Sequence, residues 1–189
     1  MSETRILTLV GSLRAGSINR RLAEAAAQTA PEGVDIAIYE GLAEVPFYNE
    51  DVDVPGSVPA TAQALRDAVA AADAVLLVTP EYNGTLPAVL KNAIDWASRP
   101  YGAGSIKDKP VAVVSASISA RAAEWAHGDA VKSVGVAGGV VVESATVRFG
   151  TIGERFAQVH PGEDAEALTQ LGAAVHELVA AANGARVSA

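Results

Sequence analysis

Short β-rich apolar runs alternate five times with longer stretches of helical periodicity, and this alternation restricts the fold more than any other feature of the chain. The runs predict strands over 5–10, 34–39, 73–79, 110–116 and 138–143, and helices over 18–29, 57–72, 86–98, 120–134 and 163–182. Strand–helix units repeated in this way require crossover connections, which make the strands parallel and lay helices on both faces of the sheet. Val75-Leu-Leu-Val78 and Val111-Ala-Val-Val114 are apolar without alternation, as central strands covered on both sides must be. The expected fold is an α/β/α sandwich of three layers around a five-stranded parallel sheet, with the strand order left open by the spacing. No repeat or linker interrupts the 189 residues, so 1–189 is expected to form a single domain.

In open parallel sheets ligands sit beyond the carboxyl ends of the strands, so the loops there matter most. The first is Gly11-Ser-Leu-Arg-Ala-Gly-Ser-Ile-Asn19, which joins the run Ile6 to Val10 to the first helix. Gly11 and Gly16 are expected to supply positive φ where the turn curls back. The helix start presents free N–H groups and the positive end of its dipole to an anion. Ser12, Ser17 and Asn19 add neutral donors, and Arg14 adds a planar cationic fork. The alternative is an ordinary connecting turn, but two hydroxyls, a guanidinium and an amide within eight residues favour phosphate. With no lysine in the turn, and neither P-loop nor G-x-G-x-x-G spacing, a phosphate monoester is favoured over a magnesium triphosphate.

The loop after the third strand, Thr79-Pro-Glu-Tyr-Asn-Gly-Thr-Leu-Pro87, carries a second constellation. Pro80 fixes φ and Asn83-Gly84 favours a turn whose peptide groups can read the edge of a flat heterocycle, with Tyr82 beside its face. Thr85 is expected to cap the third helix. The connection from Gly41 to Pro59, with Pro46, Pro55 and Asp53, is long enough to be functional or mobile. The stretch Gly135 to Gly139 reads as a backbone turn.

Fourteen basic and 22 acidic residues give a formal charge of −8, which argues against non-specific binding to nucleic acid. The absence of cysteine excludes disulfides, thiolate zinc sites and cysteine-bound iron–sulfur clusters, and fits the cytoplasm. The apolar run before Gly11 is too short for a signal-peptide core, and the stretch from Ala68 to Val78 is broken by Asp73, so no membrane association is expected. His127, His160 and His176 have no metal-ligand spacing and read as structural or surface groups. Asp35, Asp67 and Asp73 read as helix-end or solvated acids, and no G-x-S-x-G elbow surrounds Ser12.

These motifs, GSLRAGSIN after the first strand, PEYNGTLPAVLKNAIDWAS after the third and Pro46-Phe-Tyr-Asn-Glu-Asp51 in the long loop, strongly resemble those of the NADPH-dependent FMN reductase family, whose fold is flavodoxin-like. The resemblance implies that Ser12, Arg14, Ser17 and Asn19 surround the FMN phosphate, with Ile18 among the cofactor-binding positions. It further implies that Pro80, Glu81, Tyr82, Asn83 and Gly84 line the ribityl chain and isoalloxazine, Glu81 through its backbone. The third flavin loop of that family reads S-x-G-x-x-G-G. Here Ser115-Ala-Ser-Ile-Ser-Ala-Arg121 has none of those glycines, and hydroxyls at Ser115, Ser117 or Ser119 are expected to substitute.

The implied activity is FMN-dependent oxidation of NAD(P)H, with FMN and NADPH as cofactors and a small-molecule acceptor such as a quinone, azo compound or free flavin. The implied assembly is a homodimer or homotetramer. A flavodoxin-type electron carrier and an FMN-binding module without turnover are the alternatives. Trp96 fits either a partner surface or the core, and Lys91 and Asp95 stand four apart and can pair with each other. Arg121 reads as an exposed helix arginine, with contact to a nicotinamide cofactor's phosphate as the alternative.

Overall fold

A computed structural model describes residues 3–188. Along the chain run β1 (Thr4–Val10), α1 (Ile18–Gln28), β2 (Val34–Ile38), α2 (Ala60–Ala71), β3 (Ala74–Pro80) and α3 (Ala88–Ala97). These are followed by β4 (Pro110–Ala116), α4 (Glu124–Ala137), β5 (Val140–Val141), β6 (Val147–Phe149), α5 (Ile152–Arg155) and α6 (Ala165–Ser188). All pairings are parallel in the order β2-β1-β3-β4-β5, with β6 also on β4. The architecture is the expected flavodoxin-like sandwich.

Every residue of β3 and of β4 is buried, which explains why neither alternates in polarity. The alternation is between two cores. Ile6, Leu76, Val78 and Val114 face α1 and α6, where Leu22, Leu171 and Leu178 meet them. Leu9, Leu77, Val111 and Val113 face the other layer, against Leu65, Leu90, Trp96 and Val134. β2, at the sheet edge, keeps Val34, Ile36 and Ile38 half-buried while Asp35 and Ala37 face out.

The fifth sheet position differs from the single strand expected over 138–143. Gly138 closes α4 at φ +94°, β5 pairs with Pro110 and Val111, and a turn of 3₁₀ helix over 143–145 interrupts the run. The chain rejoins the same edge as β6 beside Val114 to Ala116, so among the described residues the sheet has six strands in five positions. Polar Glu143 and Ser144 break the apolar pattern, while Ala145 is buried. α5 was not foreseen. The last helix starts at Ala165 because residues 161–163 form a separate 3₁₀ turn, opened by the His160 ring accepting the Gly162 N–H at 3.0 Å.

Candidate functional site

β1, β3 and β4 end side by side, with Val10 opposite Val78 and Pro80 opposite Ala116, so the loops leaving them form one rim. Gly11 anchors the first loop through its N–H to the Val78 carbonyl at 2.8 Å. A side-chain carbon there would lie 3.2 Å from Pro80 Cδ and 3.3 Å from Pro87 Cγ and Leu90 Cδ2. Close approach, and not positive φ, is thus what requires glycine: neither Gly11 nor Gly16 is left-handed, and a side chain at Gly16 would meet open space. Ser17 caps α1 by accepting the Arg20 N–H at 3.4 Å, and the first-turn N–H groups of Ile18 and Asn19 have no acceptor among the described residues. Asn19 is 5% exposed and its Oδ1 has no partner, an acceptor that a ligand hydroxyl can satisfy. Arg14 is exposed, touches only the Gly16 carbonyl at 3.3 Å and has no carboxylate partner among the described residues; Ser12 stands half-buried two residues before it.

Asn83 (φ +51°) and Gly84 (φ +77°) turn the second loop as a two-residue hairpin, closed by Tyr82 N–H to Thr85 O at 3.0 Å and Thr85 N–H to Tyr82 O at 3.2 Å. The φ > 0 pair is the reason for Asn-Gly. Thr85 does not cap α3: its hydroxyl meets Asp129 at 2.5 Å, and Pro87 occupies the capping position without a side-chain bond. The Glu81 carboxylate accepts the N–H groups of Trp125 at 3.0 Å and Ala126 at 3.1 Å. It supplies from another loop the cap that α4 lacks, since Ala123, at the capping position, offers no side-chain acceptor.

The third loop is braced by its own serines. Fully buried Ser115 donates its hydroxyl to the Ala122 carbonyl at 3.2 Å, Ser117 Oγ accepts the Ser119 N–H at 3.1 Å, and Ser119 Oγ accepts the Arg121 N–H at 3.2 Å. Ala122 and Ala123 are both left-handed, at φ +53° and +55°, which delays α4 to Glu124. Beside the hairpin, Trp125 is 54% exposed and its ring lies against Gly84, where an added carbon would be 3.2 Å from Cε3.

The long connection is fixed to the scaffold. Asn92 accepts the Tyr48 N–H at 2.8 Å and donates to the Pro46 carbonyl at 3.0 Å, while Trp96 Nε1 donates to the same carbonyl at 2.7 Å. Trp96 is fully buried, with Tyr48 edge-on at 5.0 Å and the Arg66 guanidinium 5.0 Å above it, so it belongs to the core. Asp53 pairs with Arg66 at 2.7 Å. Burial acts to raise the Asp53 carboxyl, but bonds from Arg66, Tyr48 and Arg99 outweigh it and hold the group below its ordinary range.

Lys91 and Asp95 pair within the chain at 2.5 Å. Asp73 is not a solvated acid: it accepts the Arg5 N–H at 2.8 Å and pairs with Arg186, tying the start of β3 to α6. His127 is held below its usual pKa, first by burial and then by Arg148. No group of three metal-ligating side chains occurs among the described residues, and none of their helices is long and apolar enough to cross a membrane.

A doubly wound sheet with an anion-ready helix start after β1 and a left-handed reading turn after β3 defines a mononucleotide-type site of the flavodoxin-like class. The chain belongs to the NADPH-dependent FMN reductase family, whose pattern matches residues 4–154. It is 46% identical over 112 residues to a quinone reductase of Pseudomonas putida, covering 59% of each chain. It is 42% identical over 116 residues to a 2-hydroxy-1,4-benzoquinone reductase of Burkholderia, covering 61% of this chain and 62% of that protein. The matched segments thus span about three-fifths of these curated relatives. Among solved structures, the flavoenzyme NAD(P)H:(acceptor) oxidoreductase FerB of Paracoccus denitrificans superposes with a TM-score of 0.82 at 30% identity, covering 96% of this chain and 98% of that one. The residues present fit FMN: unpaired α1 amides and Arg14 for the phosphate, the orphaned Asn19 oxygen for a ribityl hydroxyl, and the Asn83–Gly84 turn for the ring edge.

Proposed function

We propose that this protein is an FMN-dependent NAD(P)H oxidoreductase whose acceptor is a small planar molecule such as a quinone, azo compound or free flavin. The observation that carries the reading is the placement of the open α1 N-terminus and the Asn83–Gly84 hairpin on one rim, locked together where Gly11 meets Pro80 and Pro87. FMN held there would supply the redox chemistry that links oxidation of the nicotinamide donor to reduction of the acceptor. The protein's work is binding and orientation. Ser12, Arg14, Ser17, Ile18 and Asn19 hold the phosphate end. Pro80 to Gly84 present backbone groups to the ring edge, the Glu81 carboxylate being engaged on α4. Tyr82, half-exposed, borders the open face. Ser115 and Ser117 serve the site by shaping the third loop.

The same reading places the chain in the cytoplasm as a homodimer or larger homo-oligomer. A groove of about 1120 Å³ between α3 and α4 supports an assembly through these helices: it begins at Tyr82 and Asn83 and is edged by Tyr101 and Val136, 90% and 83% exposed. Purified protein supplied with FMN should bleach the flavin band on anaerobic addition of NADPH and oxidise NADPH steadily once a quinone is present, with no other reductase. Flavin binding without any NAD(P)H oxidation would instead favour the electron carrier or the silent binding module.

A further inference from the structure

Trp125 is a large aromatic that the fold neither buries nor leaves loose. The other tryptophan, Trp96, is fully buried with its Nε1 bonded to Pro46, whereas Trp125 stands 54% exposed in the first turn of α4. Its place is nevertheless fixed from two sides. Glu81 accepts its backbone N–H at 3.0 Å, and its six-membered ring rests on Gly84, where an added carbon would lie 3.2 Å from Cε3 and 3.7 Å from Cζ3. Both contacts come from the loop that carries the Asn83–Gly84 turn, so the indole is seated on the reading hairpin itself, which also carries half-exposed Tyr82. No other aromatic ring lies against Trp125 among the described residues. An aromatic surface ordered before any ligand arrives binds a flat molecule with little further loss of freedom.

On the reading that this rim holds FMN and serves both a nicotinamide donor and an acceptor, the charges around the indole separate the two. Glu81 is bonded to its N–H, Glu124 precedes it, and Asp129 holds Thr85 of the hairpin, against the guanidinium of Arg121 with its carbon 4.8 Å from the ring centre. Carboxylates in excess disfavour the pyrophosphate of a dinucleotide and leave a neutral ring unaffected. Size follows from shape: an indole is two fused rings, so a fused two-ring molecule covers its face where a single ring leaves part of it wet.

We infer that Trp125 is a specificity-determining residue for the acceptor, the wall against which a neutral fused-ring quinone lies, and that it makes this chain favour two-ring over one-ring acceptors. With FMN-loaded protein and NADPH as donor, the ratio of kcat/KM for naphthoquinone to that for benzoquinone should fall about tenfold in Trp125→Ala. Trp125→Leu, which refills the contact with Gly84 by an aliphatic group, should lose as much, and Trp125→Phe should keep most of the ratio; these two carry the test if the alanine variant fails to fold. Calorimetry reads the same contact without turnover: naphthol should bind the parent and weaken about tenfold in Trp125→Leu, with phenol changed about twofold or less. An unchanged quinone ratio in Trp125→Leu, an equal loss for naphthol and phenol, or a rise in KM for NADPH with the quinone constants unmoved overturns the assignment while leaving the flavin reading standing. A parent chain that fails to quench FMN fluorescence overturns the flavin reading itself, and the assignment with it.

Discussion

Gly84 does two jobs at one position. Its φ of +77° serves the hairpin, and its bare Cα admits the Trp125 ring. Gly84→Ala should therefore cost about 1–2 kcal/mol from the left-handed backbone alone, with a further cost from pushing the indole away. Thermal unfolding should show the loss, and FMN titration should show weaker binding; an unchanged melting temperature and affinity would mean that the hairpin does not hold this conformation. The Asn83-Gly84 dipeptide was legible as a turn because left-handed conformations favour these two residues. Gly11 was legible as necessary but for another reason than the one found, since only packing reveals that Pro80, Pro87 and Leu90 leave no room for a side chain. Asp73 follows the end of α2, as a helix-end acid should, but its pairing was not legible, since Arg186 lies 113 residues away and no local pattern announces it.

At the scale of the element, α4 shows how a helix start is built from distant residues. Two left-handed alanines precede it, and the acceptor for its first-turn amides is Glu81, 44 residues before Trp125. Glu81→Ala should lower stability by about 0.5–2 kcal/mol, the cost of a lost cap, and Glu81→Gln, which keeps an acceptor, should lose less; chemical denaturation separates the two. α5 is pinned to the start of α6 in a comparable way. Arg155 meets Asp164 at 2.8 Å and brings its carboxyl down to about 2. The folded protein therefore holds the Asp164 proton more weakly than the unfolded chain. The stabilisation is present in full above a pH of about 4, near the ordinary carboxyl value, and disappears as the pH falls toward about 2. Asp164→Asn should flatten the loss of stability across that window in urea unfolding at a series of pH values; an unaltered slope would show that the pair contributes nothing. The helices expected over 57–72 and 86–98 run over 60–71 and 88–97, because the helical pattern extends past Pro59 and Pro87, which set their starts. The split of the fifth sheet position into β5 and β6 was not legible, since two- and three-residue strands carry too few residues to show a period.

For the whole molecule, the alternation of short apolar runs and helical stretches was enough to define the layers, because each unit can bury its apolar face in only one way. Strand order came only from the structure. The groove between α3 and α4, with Val136 and Tyr101 exposed beside it, leads us to expect a dimer in solution; light scattering should give twice the chain mass, and Val136→Glu should shift it toward the monomer. A monomeric parent at micromolar concentration would refute that assembly. On the proposed reading the rim formed by the first and second loops binds FMN, and a fluorescence titration of FMN with the purified protein tests this. Saturable quenching with one FMN per chain, weakened by about tenfold or more in Arg14→Ala through loss of a charge-assisted phosphate contact, is the predicted result. An FMN signal that stays unchanged at saturating protein would contradict it.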